Sequence, residues 1–355
     1  MALRWIEGFE TYGSSGTSVS GTSTSQLNLK WSGANTTGLT TLTIQSGRSS
    51  GLCLKQPGNI AGAQLQTRTF TSQATWTVGA AWYLDGLPSS SKALILIRDA
   101  STIQVGIYLN ADGSLTAWRG NQAASLGSTA ASVFAASAWQ YVEVQTTIDG
   151  SAGVVTIKIN GSQVLALTSQ NTKQSGNASA NSVAFFAVQH GTSSNYTYLD
   201  DIYVLDSSGS NNTTFLNQPI VEAITPSGAG NSTQWSPDSG SNYARVNETP
   251  EDGDTSYVTD STSGHLDEYA YSDLSRIAGA IYGVQINTVG RLTDASSFSV
   301  IPVVRSSSSD YTQSTWALSG TSYANNPQIV EQDPATSAAW TASGVNAAQF
   351  GLQIA

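Results

Sequence analysis

The chain has 355 residues, of which 53 are Ser and 39 Thr, while charged residues make up 11% and Met and Cys occur once each. Abundant Ser, Thr and Gly with few Lys, Glu, Leu and Met deprive helices of their good formers and suit short strands joined by turns, which excludes an all-helical protein and a coiled coil. A formal charge of −10 and a pI near 4.5 repel phosphate backbones and anionic bilayers, so neither nucleic acid nor a membrane is an expected partner.

The N-terminal segment MALRWIEGFE lacks the apolar stretch of a secretory signal, so synthesis in a cytoplasm is expected. Its Trp5, Ile6 and Phe9 suit a strand. Cys53 lies between Leu52 and Leu54 and reads as a core thiol, and a single cysteine excludes an internal disulfide and Cys-based zinc sites. Strands are predicted over residues 74–85, 93–98, 183–189 and 198–205. The apolar stretch Val183 to Val188 is far short of the roughly 20 residues that a membrane helix needs.

Val155, Ile157 and Ile159 alternate with Thr156 and Lys158 before Asn160-Gly161, the two-residue hairpin signal. Asp112-Gly113 and Asp149-Gly150 are expected to repeat the device. Closely spaced strands with no long amphipathic window between them predict two packed antiparallel sheets.

Charge divides the chain. Residues 1–208 carry ten Lys/Arg and ten Asp/Glu, whereas residues 209–355 carry four and fourteen. The polar segment Ser207 to Thr214 lies between them and the apolar sequence restarts at Phe215, so the expected division is a domain over 1–208, a linker at 209–214 and a second domain over 215–355. In the latter, IYGVQI and FSVIPVV are expected strands, and QFGLQI is expected to end the chain inside a sheet.

The opening Glu7-Gly8-Phe9-Glu10-Thr11-Tyr12, the succession from Trp139 through Ile148-Asp149-Gly150 to Gly161, and the closing Tyr198 to Leu205 (YLDDIYVL) resemble the concanavalin A-like, laminin-G-like jelly roll. That resemblance implies a first strand paired beside the last. GFETY near one end with LDDIYV near the other is also similar to modules of tailed-phage structural proteins. The order of Trp235-Ser-Pro, Glu251 to Val258, Asp267-Glu-Tyr, Ile281 to Ile286 and Ala339 to Gln353 resembles a C-terminal module of phage head or tail proteins.

Jelly rolls of this kind include glycoside hydrolases with Glu-x-Asp-x-x-Glu on one strand, a nucleophile and an acid about 5–5.5 Å apart. This sequence has no such motif, and Glu143 among Val142, Val144 and Gln145 reads as solvent-facing. Only His190 and His265 could act as imidazole bases, with no intact nucleophile-elbow or phosphate-loop signature. Glu251, Asp252 and Asp254 are the candidate metal ligands, for Ca²⁺, against the plainer reading of a solvated acidic turn. Trp76, Trp82, Tyr83, Trp118, Trp139 and Tyr141 lie in predicted strands and are weighed for stacking on sugars against core packing, with Trp76, Trp82, Tyr83 and Trp118 the candidate carbohydrate-binding residues.

The expected fold is all-β, a jelly-roll sandwich followed by a smaller β-sandwich-like domain. The expected function is that of a non-enzymatic phage virion structural protein, a capsid decoration, fibre-like or tail adhesion component. It would be located in the virion, form a homo-oligomer on the particle, contact other virion proteins, and need no cofactor. The alternatives are a carbohydrate-binding module that recognises a host-surface glycan and, less favoured, a glycoside hydrolase.

Overall fold

A computed structural model describes residues 2–19, 24–34, 42–59, 64–191, 194–276, 279–295 and 297–355. The chain is all-β and forms two compact units, one of residues 1–10 and 14–221, the other of residues 11–13 and 222–355.

The first unit is a jelly-roll sandwich of two antiparallel sheets. One sheet runs in the order β13 (Ser162–Gln170), β12 (Gly153–Ile159), β11 (Gln140–Thr147), β6 (Thr75–Leu84), β15 (Tyr196–Asp206), β4 (Leu52–Pro57) and β3 (Thr43–Ser46), with β1 (Ala2–Glu7) also on β15. The other runs β10 (Ala124–Ser128), β9 (Leu115–Arg119), β8 (Thr102–Leu109), β7 (Lys92–Asp99), β14 (Ser182–Phe186), β5 (Gln64–Gln66) and β2 (Gly33–Ala34). A short helix α1 (Thr24–Lys30) precedes β2.

Alternation decides which residues meet between the sheets, because successive side chains on a strand point to opposite faces. Val78, Trp82, Val142, Val144, Ile157 and Val204 from the first sheet are buried, as are Ile95, Ile97, Val105, Ile107 and Phe185 from the second. The rings of Trp82 and Phe185 lie 6.5 Å apart, and Trp82 Nε1 donates to the Phe186 carbonyl at 2.9 Å.

β15 is the hub of the first sheet. Along one edge it pairs with β6, while its other edge takes β4 over Tyr196–Leu199 and β1 over Ile202–Asp206. A bulge between Asp200 and Tyr203 marks the change of partner, with Asp201 in the left-handed region at φ 50°. The first strand therefore pairs beside the last.

Asn160 and Gly161 both have positive φ and join β12 to β13 directly, as their chemistry demands. The other two hairpins have longer turns. Leu109 pairs with Leu115 around Gly113, and Thr147 with Val154 around Asp149, whose Oδ1 accepts from the Ser151 and Ala152 amides and so replaces the expected two-residue turn.

In the second unit a sheet runs β16 (Pro226–Thr233), β19 (Leu266–Tyr271), β27 (Gln349–Ile354), β21 (Phe298–Ser306) and β22 (Ser309–Thr312), with β23 (Trp316–Leu318) also on β21. The C-terminal strand β27 thus lies between two neighbours. β20 (Val284–Gly290) pairs with β24 (Ala324–Val330), and Val284, Ile286 and Val330 of that ribbon pack with Val304, Trp340 and Phe350. Two small ribbons, β17 (Ser236–Pro237) with β18 (Val258–Thr259) and β25 (Gln332–Asp333) with β26 (Ala338–Ala339), complete the unit. Thr341 Oγ1 caps the short helix α2 (Ala342–Ala347) by accepting from the Gly344 amide.

Candidate functional site

The face of the first sheet that points away from the sandwich core carries two constellations. At one end lies a row of side chains at a common level across neighbouring strands. Lys55 of β4 is the cross-strand partner of Tyr198 of β15, Tyr198 is the partner of Tyr83 of β6, and Trp139 continues the register into β11. Tyr83 and Tyr198 meet edge to face at 5.4 Å, and Trp139 lies 5.9 Å from Tyr83 and 6.4 Å from Tyr198. Tyr196 adds a fourth ring 6.4 Å from Tyr198, with Lys55 Nζ 3.8 Å from its centroid.

All four rings are half-buried, so each leaves ring surface open. Burial, with Asp85 next, pushes the Tyr198 phenol up to about 12, which keeps it neutral at physiological pH. Asp85 itself accepts from the Tyr196 amide at 2.8 Å.

Four residues further along β6 the same face is closed. Tyr203 and Tyr141 stack at 6.5 Å over Gly79, where a Cβ would meet the Tyr203 ring at 2.5 Å. Tyr203 OH donates to Glu143 Oε1 at 2.6 Å, and the same oxygen accepts from the Asn217 amide at 2.9 Å. Arg48 pairs with Asp201 at 2.7 Å, lies 5.0 Å from the Tyr141 centroid and donates to the Gln218 and Pro219 carbonyls. Asp201 Oδ1 accepts from the Val221 amide. Burial first, then Asp201 and Glu10, push the Asp200 carboxyl well above the usual carboxylate range.

Glu143 is therefore buried, not solvent-facing: residues 215–221 fold back over its side of the sheet. Phe215 and Leu216, placed by their sequence with the second domain, are buried in this cover, and Lys158 Nζ lies 4.4 Å from the Phe215 ring centroid. The units divide between Val221 and Glu222.

Of the candidate carbohydrate-binding residues, Tyr83 alone stands in the open row. Trp76 and Trp82 have 0% exposure and offer no ring face to a ligand. Trp118 lies on the outer face of the other sheet, packed against Leu96, Tyr108 and Ala184. Tyr196, Tyr198 and Lys55 are members that the sequence did not suggest, and Trp139 was weighed but not placed among the candidates. The signal was the period of two: Tyr196 and Tyr198 alternate with the buried Thr197 and Leu199.

The acidic segment of the second unit does not gather around one point. Asp252 Oδ1 accepts from the Ser256 amide and hydroxyl, whereas Asp254 Oδ1 is held by Arg291 and Tyr323. Glu251 is half-buried. Among the described residues no three His, Cys, Asp or Glu side chains are grouped to hold a metal ion.

No family model matches the chain, and no curated protein matches it significantly. Among solved structures, the cellulose-induced protein Cip1 is 16% identical with a TM-score of 0.35, over 46% of this chain and 85% of that one. Domain 4 of AbnA, an extracellular arabinanase from Geobacillus stearothermophilus in complex with arabinotriose, is 15% identical with a TM-score of 0.33, over 47% and 75%. The alginate lyase Aly36B is 13% identical with a TM-score of 0.38, over 57% and 96%. None of these likenesses defines a family or an activity for this chain.

Proposed function

We propose that the protein is a non-enzymatic structural and recognition component of a tailed-phage particle, and that its first unit binds a carbohydrate on the row Lys55, Tyr198, Tyr83 and Trp139. The observation that carries the recognition half is the row itself. Rings from neighbouring strands, fixed by the sheet register and partly open, suit the apolar faces of sugar rings, while a phenol and an ammonium are at hand for hydroxyl and other polar groups. A rigid sheet holds such groups without loss of loop entropy on binding.

The non-enzymatic half is supported by the state of Glu143. Most glycoside hydrolases use two carboxyl groups about 5–9.5 Å apart on either side of the substrate. Glu143 instead accepts from Tyr203 and Asn217 beneath the 215–221 cover. The virion half rests on the resemblance of GFETY, LDDIYV and the ordered segments of the second half to phage head and tail modules.

A glycan array read with the wild-type chain and Trp139→Ala tests recognition. Loss of a stacking ring should weaken binding about tenfold or more, about 1.4 kcal/mol, with the melting temperature little changed because Trp139 is half-buried. Equal binding by the two chains would sink the row as the site. Mass spectrometry of purified particles from a host carrying the gene should detect the chain, and its absence from them would remove the virion role while leaving recognition standing.

A further inference from the structure

We infer that the row takes an acidic sugar, a glycan bearing a carboxylate, with Lys55 as the partner of that carboxylate; this rests on the glycan reading above and narrows it. Arg4, Lys30 and Arg48 each lie within 3.4 Å of a carboxylate of this chain. Lys55, like six other basic side chains of the first unit, has no such partner among the described residues, and it is the one that lies against the open row. Its ammonium lies 3.8 Å from the Tyr196 centroid and 5.8 Å from that of Tyr198, so rings meet one side of it while no acid among the described residues satisfies its remaining donors.

The row is also electrically polarised. Lys55 belongs to β4, and its cross-strand partner on the far side is Thr43 of the edge strand β3. Asp85 follows β6, two strands away across β15, with one carboxylate oxygen accepting from the Tyr196 amide. With strands about 4.8 Å apart, β4 and β6 lie roughly 10 Å from each other, so an oligosaccharide stacked on Tyr198 and Tyr83 is long enough to reach from the cation toward the carboxylate. Its own carboxylate is drawn toward β4 and its hydroxyls toward Asp85. A neutral sugar would leave the ammonium half-desolvated by the ligand and unpaired, and that cost discriminates against it.

The test measures the full-length chain against a panel of uronate- and sialate-containing oligosaccharides, each beside its carboxyl-reduced neutral counterpart, at low and high NaCl. The acidic member of a pair should bind about five- to tenfold tighter at low salt, as a charge-assisted contact implies, with the gap narrowing as salt screens it. Lys55→Gln should erase the preference and keep the neutral binding, Lys55→Arg should retain it, and Asp85→Asn, which keeps the acceptor for Tyr196, should not diminish it. Melting temperatures of all three variants confirm folding. A wild-type chain that binds neutral and acidic members equally, or a preference that survives Lys55→Gln, overturns the acidic-sugar inference and leaves the aromatic row intact. No binding to any member, neutral ones included, overturns the glycan reading together with it.

Discussion

Glu251 is half-buried beside Glu248 and Asp252, and burial, ahead of Glu248 and then Asp252, pushes its carboxyl from 4.5 up to about 7. Between those values the folded chain holds a proton that the unfolded chain has released. A raised acid thus stabilises the fold fully below about pH 4.5, and the contribution is lost as pH rises toward 7. Denaturant midpoints of the second unit should fall from pH 5 to pH 8, and Glu251→Gln should flatten that slope. An unchanged slope would show that Glu251 is not its source. This shift was not legible in the sequence, where Glu251 stands in a run of acids that reads as solvated or metal-binding; Tyr323, which engages its neighbour Asp254, is distant in the chain. The aromatic site was half legible for a different reason. Trp82 and Tyr83 are adjacent on one strand and must face opposite sides, so both could not belong to one surface. Strand parity would have separated the core ring from the open one, and would have added Tyr196 and Tyr198.

Among the elements, local pattern made β12, the Asn160-Gly161 turn and β27 readable, whereas the pairing of β1 with β15 was implied by the resemblance to the jelly roll and not by alternation. The cover formed by residues 215–221 was not readable. A polar stretch followed by Phe215 has the look of a linker and a fresh start, and nothing local says that Phe215 and Leu216 return to the sheet just completed. What holds them is non-local: the Asn217 amide on Glu143, the Val221 amide on Asp201 and the guanidinium of Arg48 on two carbonyls. A fragment ending at Ser208 should therefore be less stable than one ending at Val221. Removing the cover strips donors from two buried carboxylates, at about 1–3 kcal/mol for each buried group left unsatisfied, and uncovers Tyr141 and Tyr203. For a domain of this size the shorter fragment should melt about 5 °C or more below the longer one. Coincident melting of the two fragments would assign residues 215–221 no part in the first unit's stability.

Over the whole molecule, charge is segregated along the chain. Residues 1–221 hold ten basic and ten acidic side chains, whereas residues 222–355 hold four arginines and fourteen acids. All four arginines are already paired: Arg245 with Asp238 at 2.6 Å, Arg276 with Glu222 at 3.9 Å, Arg291 with Asp254 at 2.8 Å and Arg305 with Asp310 at 2.5 Å. The unit's fourteen acids outnumber its four arginines by ten. Two salt effects then oppose one another. Screening weakens the four pairs, each partly solvent-exposed and worth about 1 kcal/mol or less, and it relieves repulsion among the remaining acids. Repulsion involves many more pairs of charges and acts over the whole unit, so its relief should dominate. Raising NaCl from 10 mM to 0.5 M shortens the screening length from about 30 Å to about 4 Å. Calorimetry of the intact chain should then show the transition of the acidic unit moving up in temperature and that of the neutral unit nearly fixed. Peptide mapping of exchange-labelled amides at intermediate temperatures identifies which transition belongs to which unit. If the acidic unit's transition falls with salt, its ion pairs outweigh its repulsion. If both transitions rise equally, the salt acts through general exclusion from protein surface and the charge segregation has no part in stability.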